Sequence, residues 1–376
     1  MSRLVCYADY RAAAQRRLPH FLFEYFDGAA FDGVTAARNE ADMKATPLVQ
    51  RVFRDVAAPD LSTRLFGQDL AMPVVLAPVG LAGMAARRGE VQAARAARAA
   101  GIPMCLSSTS ICPLDEVAAA TPPWFQLYMT RDRDYVDRLI DWAGTVGSPA
   151  LVLTVDLPML GVRWRDWRSG FVARGVAGSV RRGLQMLRRP RWALSVGLGG
   201  GPHVFGNVRH GLGGKATMAE CQVFLDGSLE ARLGPGTLRY VRQRWRGPLL
   251  VKGVLDPRDV EIALTEGVDG IVVSNHGGRQ LDGAMSSISA LPAIAARVAG
   301  RVPVLLDSGV RSGLDMVRAI CAGASAVMIG RPWVWALAAG GERGVSALLG
   351  QMATEARVGM VLCGADRIAQ LRAESS

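Results

Sequence analysis

Gly270-Ile-Val-Val-Ser-Asn-His-Gly-Gly-Arg-Gln-Leu-Asp-Gly283 is the stretch on which both the fold and the chemistry of this chain turn. Its first four residues are a short apolar run, which reads as a buried strand. Two glycines, Gly277 and Gly278, then turn the chain, with His276 and Arg279 three residues apart just past the strand end. A histidine titrates near neutrality and can take a proton. An arginine can hold a carboxylate through two parallel hydrogen bonds. Alone, the pair also reads as a strand cap beside a solvated arginine, so the rest of the chain has to decide.

Seven further apolar runs resemble this one: 74–78, 103–108, 124–129, 150–156, 249–254, 302–308 and 326–330. Between them lie helix-like segments, among them 90–100, 113–120, 133–143, 257–266, 288–299 and 313–322. Several open near Pro, Asp or Ser and are followed by Gly, the usual asymmetry of helix ends. Near-continuous apolar strands joined by helices mean a parallel sheet covered on its outer face. Eight such units predict an α/β fold of the (β/α)₈ TIM-barrel type, read here as one domain over 1–376. Residues 1–70 precede the barrel as helices and a lid, and a long irregular loop, about 157–235, follows strand 4. No G-x-G-x-x-G follows the first strand, which argues against a nicotinamide-binding open sheet.

Composition narrows the function further. The chain has 376 residues, half of them hydrophobic, and a net charge of +11. No window approaches ~18 consecutive apolar residues, so no membrane-spanning helix is expected. The first ten residues lack the apolar core of a signal peptide. Six cysteines without metal-ligand spacing predict reduced thiols in a cytosolic compartment and no metal. The basic charge concentrates in Arg163, Arg165, Arg168, Arg174, Arg181, Arg182, Arg188, Arg189 and Arg191, against Asp166 alone, with Trp164, Trp167, Leu184, Met186, Leu187 and Trp192 among or beside them. Such a segment fits an anionic membrane surface, nucleic acid, or a solvated loop.

In a barrel of this type the site forms at the carboxyl ends of the strands. The polar residues there are Ser107, Gln126, Tyr128, Thr154, Asp156, Lys252, His276, Arg279, Asp307, Arg311 and Arg331. Lys252 lies inside an apolar run and needs an anionic partner if buried; a core ion pair would also account for it. Asp307-Ser-Gly-Val-Arg311 and Ile329-Gly-Arg331 follow the last two strands, where this fold commonly holds a phosphate. Glycine backbone and two arginines there predict a phosphorylated cofactor.

With these residues in place, the chain resembles the FMN-dependent L-2-hydroxy acid dehydrogenase and oxidase family, and within it the bacterial respiratory L-lactate dehydrogenases. The likeness runs from Ala8–Gln15 to the C-terminal helix through Leu22–Tyr25, Leu76–Pro78, Phe125–Tyr128, Thr154–Asp156, Val251–Gly253, Ser274–Gly283 and Gly330–Pro332. Pro78–Leu81 and Arg87–Gln92 carry the narrower resemblance.

The resemblance implies oxidation of L-lactate, or a close L-2-hydroxy acid, with electrons passing through FMN to a quinone or other respiratory acceptor. It also implies a peripheral enzyme on the cytoplasmic side of the inner membrane, and a homo-oligomer, a tetramer. His276 would be the base, Asp156 its partner, and Tyr128 a hydrogen-bonding group for the reacting hydroxyl. Arg279 would bind the substrate carboxylate, with Tyr25 and Arg163 completing the pocket. Val79 (by its backbone), Ser107, Gln126, Thr154 and Lys252 would line the flavin. Asp307 would meet the ribityl chain, and Ser308, Gly309, Arg311, Gly330 and Arg331 the phosphate. Gly80 favours a dehydrogenase over an O2-using oxidase; mandelate- or glycolate-type activity is the nearby alternative. Departures are Leu233-Gly-Pro-Gly-Thr237 in place of a Trp-Lys-Asp stretch, and Phe26-Asp27 where some members carry a second tyrosine. A non-enzymatic FMN-binding scaffold is the rival of a different class, and nucleic-acid binding through the basic charge a third.

Overall fold

The computed structural model describes residues 4–173 and 175–373. A hairpin, β1 (Thr63–Leu65) and β2 (Gln68–Leu70), precedes eight parallel strands: β3 (Val74–Leu76), β4 (Cys105–Ser107), β5 (Trp124–Tyr128), β6 (Leu151–Thr154), β7 (Leu249–Val254), β8 (Gly270–Val273), β9 (Val304–Asp307) and β10 (Ala326–Ile329). All eight lie within the apolar runs read from the sequence. The order is β3-β10-β9-β8-β7-β6-β5-β4, and a parallel bridge between Leu76 and Met104 joins the two end strands. The sheet thus closes as a barrel.

Alternation along each strand divides the apolar residues into two packed layers. Val75, Trp124, Val152, Leu250, Val272, Leu305 and Met328 fill the interior, while their neighbours Leu76, Phe125, Leu151, Val251, Ile271, Leu306 and Val327 pack under the helices. The hairpin, which the sequence reading missed, plugs the amino-terminal end of the barrel. Leu65 and Leu70 join the interior cluster, the Phe66 ring meets Trp124 edge-on at 5.6 Å, and Trp124 Nε1 donates to Gln68 Oε1 at 3.3 Å. A side chain at Gly270 would reach within 2.7 Å of the Phe66 ring, so glycine there admits the plug.

Three helices precede the hairpin: α1 (Tyr7–Arg17), α2 (His20–Asp27) and α3 (Val34–Ala45). Helix α2 buries Phe21, Leu22, Phe23 and Phe26 against the carboxyl-terminal side of the barrel, which carries Tyr25 to the mouth. Asp27, where some members carry tyrosine nearby, accepts from Arg11 at 2.7 Å and from Arg165 at 2.8 Å.

The connection after β6 departs from expectation. It is folded, not irregular, into helices Trp164–Ser169, Gly175–Leu187, Pro190–Trp192, Gly206–Gly211 and Met218–Ser228, with a wide π-type segment over Ala193–Leu198. Its arginines are largely committed to structure. Arg165 pairs with Glu24 at 2.6 Å, Arg182 donates to the Gly170 and Ala173 carbonyls at 3.1 and 2.5 Å, and Arg189 donates to the Leu18 carbonyl at 3.0 Å. Arg174 lies outside the described residues. Leu233–Thr237 leads into helix Pro235–Arg244, which buries Thr237, Leu238 and Val241. Among the described residues, no helix is long and apolar enough to cross a membrane.

Candidate active site

The carboxyl ends of the strands open into a cavity of about 1170 Å³. Its wall includes Tyr25, Val79, Tyr128, Thr154, Arg163, Lys252, His276, Arg279, Asp307, Gly330 and Arg331, which sequence reasoning had gathered from nine separate stretches. The site is legible because parallel strands all deliver their last residues to one rim.

His276 sits at φ +59° immediately after β8, in the left-handed region that few non-glycine residues adopt. Ser274 Oγ accepts from the His276 backbone N–H at 3.0 Å and holds this turn. The imidazole Nδ1 lies 2.8 Å from Asp156 Oδ1, and Nε2 lies 3.5 Å from the Tyr128 hydroxyl. With Nδ1–H donated to the carboxylate, Nε2 is left as the free base pointing into the cavity. Burial pushes the imidazole below its ordinary value, and Asp156 offsets this only in part. The ring is therefore neutral and able to accept a proton at neutral pH. Burial, with Asp156 second, pushes the Tyr128 phenol up, so it stays protonated as a hydrogen-bonding group.

Lys252 is 4% exposed, which settles that the β7 lysine lies in the barrel rather than at its surface. Its Nζ contacts Asp307 Oδ2 at 2.7 Å and donates to Ser274 Oγ at 2.9 Å, while Ser274 Oγ donates to Asp307 Oδ2 at 2.6 Å. Burial alone would lower the ammonium, but Asp307 and then Asp156 outweigh it and hold it above its ordinary value. The core-ion-pair reading of Lys252 is thus correct as far as it goes; the pair also faces the cavity. Ser274 links the histidine, the lysine and the aspartate, yet the sequence reading gave it no role. Its place as the residue following a strand, at the rim, was the available signal.

Arg279 donates to the carbonyls of Tyr25 at 2.7 Å and Gly28 at 2.9 Å, and its guanidinium lies 5.0 Å from the Tyr25 ring centre. Among the described residues no carboxylate pairs with it. Burial, with Arg163 second, pulls its pKa down to about 9. Arg163 makes one long contact, 3.5 Å to Gln280 Oε1, and its buried Nε has no partner. Two incompletely neutralised guanidinium groups on one cavity wall form a receptor for an anion. Gln280 stitches this wall together, donating to the Asp156 and Met159 carbonyls at 3.0 and 2.9 Å.

The groups assigned to a flavin divide into those at the wall and those behind it. Ser107 and Gln126 lie beneath the cavity floor, where Ser107 Oγ donates to Gln126 Oε1 at 3.2 Å. Gln126 Nε2 is buried and has no acceptor, an orphaned donor of the kind a heteroaromatic ring with carbonyl and ring-nitrogen acceptors would satisfy. Ser308 Oγ accepts from Gly277 N at 2.9 Å, and Gly309, at φ +93°, would drive a side chain to 2.6 Å from the Asn39 carbonyl. A side chain at Gly330 would meet nothing nearer than 3.8 Å, so the chain leaves open space at the rim after β10. These features fit FMN. Arg331 donates to the carbonyls of Phe26, Gly277 and Gly28 at 3.1, 3.0 and 2.8 Å. Six expected residues, Ser107, Gln126, Asp156, Ser308, Gly309 and Arg311, are not on the cavity wall, and Arg311 among them is turned toward the amino-terminal helices. Its guanidinium meets Glu40 at 3.0 Å and stacks 4.8 Å from the Tyr7 ring centre, and it does not line the cavity.

Asp166 and His203 are among the wall residues that were not singled out as site residues. Asp166, three positions after Arg163, is 5% exposed with an unpartnered Oδ1. His203 also reaches the wall, although its Nε2 lies 2.9 Å from the Gly197 carbonyl and is occupied there.

Comparison with known proteins gives the family. Residues 14–376 match the family described as FMN-dependent dehydrogenase. An L-lactate dehydrogenase of Allorhizobium ampelinum is 51% identical over 98% of this chain and 97% of its own length. One from Pectobacterium atrosepticum is 51% identical over 98% of this chain and 95% of its own. Among solved structures, mandelate oxidase with (S)-4-hydroxymandelic acid superposes with a TM-score of 0.85 at 34% identity, covering 98% of both chains. A barrel with an orphaned donor beneath its mouth, a carboxylate-backed histidine and an arginine-lined wall, matched from residue 14 to its end, belongs to the FMN-dependent dehydrogenase family.

Proposed function

We propose that this enzyme oxidises L-lactate, or a close L-2-hydroxy monocarboxylate, to the 2-oxo acid. The observation that carries the reading is His276 Nε2, 3.5 Å from the Tyr128 hydroxyl, on the same cavity wall as Arg163 and Arg279. Arg279 and Arg163 hold the substrate carboxylate, and Tyr25 closes over Arg279. This fixes the hydroxyl against Tyr128 and His276. His276 Nε2 takes a proton from the substrate, and Asp156 stabilises the imidazolium so formed, the task of a buried carboxylate behind a catalytic histidine. FMN, when bound, accepts the two electrons. Val79, Ser107, Gln126, Thr154 and Lys252 hold its ring system, Lys252 supplying a fixed positive charge that costs no reorganisation. Asp307, Ser308, Gly309, Gly330 and Arg331 would hold its tail. A scaffold that only bound FMN would not require the acid–base pair. Production of pyruvate from L-lactate with a dye acceptor tests the reading, and absence of pyruvate at any lactate concentration overturns it.

The acceptor and its location are a second part of the proposal: a lipid-dissolved quinone, reached by docking on a membrane. The supporting observation is the helix Gly175–Leu187, whose Val176, Val180, Leu184 and Leu187 form one apolar stripe that faces solvent at 55–81% exposure. Exposed Leu194, Leu198 and Trp167 extend it. Because Arg182 and Arg189 are spent on backbone carbonyls, the interaction is chiefly apolar, with exposed Arg188 and Arg191 assisting. Replacing Leu184 and Leu187 by serine should release the enzyme from anionic liposomes and spare dye-linked turnover. Equal co-sedimentation of variant and wild type would refute it.

A further inference from the structure

Asp166 is held rigidly at the cavity wall. Its backbone N–H donates to the Arg163 carbonyl at 3.1 Å, and its own carbonyl accepts from Phe171 N at 3.0 Å and Ser169 Oγ at 3.1 Å. The side chain is buried, lines the cavity, and has an Oδ1 that accepts no hydrogen bond. The charged groups around it are Arg279, Arg163, Arg165 and Glu24, and burial pushes its carboxyl above the usual range against the pull of the arginines. Arg165 and Glu24 neutralise each other at 2.6 Å, with Asp27 on the same arginine at 2.8 Å. Lys252 is likewise paired with Asp307.

Arg331 is also on the wall, but its proposed role is at the flavin tail, and it is not among the charges acting on Asp166. At the substrate end Arg163, Arg279 and an ionised Asp166 together carry one net positive charge. A monocarboxylate brings the cluster to neutrality. A second carboxylate would leave an excess negative charge in a buried site, where Leu157 and Leu160 on the same wall offer no countercharge. We propose that Asp166 is the specificity-determining residue that matches this site to 2-hydroxy monocarboxylates and rejects 2-hydroxy dicarboxylates. The inference rests on the assignment of Arg163 and Arg279 to the substrate carboxylate.

The test is Asp166→Asn, an isosteric change, with kcat/KM measured for L-lactate and L-malate using a dye acceptor. The malate-to-lactate ratio should rise by roughly tenfold or more, the effect of removing one charge several ångströms away at an effective dielectric of ~20. Asp166→Glu should keep the wild-type ratio. A parallel fall in both substrates at a constant ratio overturns the proposal, because a purely structural residue would behave that way. Should the Asn variant fail to fold, competitive inhibition of the wild type decides: propionate must bind at least about tenfold more tightly than succinate, and equal binding overturns the idea. Arg279→Lys separates the two layers. If it leaves lactate KM unchanged, the carboxylate assignment itself fails; if it raises KM while Asp166→Asn leaves the ratio fixed, only the selectivity role fails.

Discussion

Asp156→Asn isolates the electrostatic part of the proposed mechanism. The carboxylate lies 2.8 Å from His276 Nδ1, and its other oxygen, Oδ2, is buried with no partner, so no second hydrogen bond competes with the ring for it. When the imidazole becomes cationic, charge centres about 4 Å apart at an effective dielectric of ~20 interact by roughly 4 kcal/mol. Asparagine keeps the shape and can still accept a hydrogen bond, so part of this survives. A loss of about 10²–10³ in kcat/KM is expected, each tenfold corresponding to about 1.4 kcal/mol. The pH profile gives an independent sign. Activity requires neutral His276, whose value burial has already lowered, so the acidic limb of kcat/KM in the wild type falls below the ordinary 6.5. Asp156 opposes that shift; removing it should move the limb further toward acid even as the plateau drops. Steady-state kinetics with a dye acceptor from pH 5 to 9 would measure both. A limb that moves toward alkali, or activity within threefold of wild type, would refute the reasoning.

Two other substitutions bear on the same site. Arg279→Lys keeps a charge but loses the planar fork, so it should raise KM and lower kcat together; unchanged constants would place the carboxylate elsewhere. Lys252→Met strands Asp307 without its 2.7 Å partner, and breaking a buried pair costs roughly 3–5 kcal/mol. It should lower the melting temperature and slow flavin reduction in stopped flow more than it weakens lactate binding, whereas reduction at the wild-type rate would remove Lys252 from the chemistry.

The barrel was legible because its strands are buried on both faces, and an uninterrupted apolar run survives without any knowledge of its neighbours. Residues that end such runs inherit a position, which is how Lys252, His276 and Asp307 could be placed on one rim from sequence. The hairpin escaped notice because each arm has three residues, and Phe66-Gly67, at φ +48° and +78°, lacks the Asn or Asp that usually marks so tight a turn. From sequence, the connection after β6 reads as an irregular loop whose arginines suit a membrane surface, nucleic acid or solvent. Arg165 and Arg189 instead find partners more than a hundred residues away, in α2 and just after α1, and no local pattern announces that. Arg311 fails for the same reason: its partner Glu40 lies 271 residues distant. Asp166 was visible as the lone acid among nine arginines, but its burial at the cavity wall was not.

The central claim is that His276 is the base of an FMN-dependent oxidation of L-lactate, and anaerobic mixing of the flavin-loaded enzyme with L-lactate tests it most directly. The wild-type protein should lose its yellow absorbance on mixing, while His276→Gln should retain bound flavin and bleach about 10²–10⁴-fold more slowly. Bleaching of the His276→Gln protein at close to the wild-type rate, or a wild-type flavin that stays oxidised in saturating L-lactate, would contradict the account.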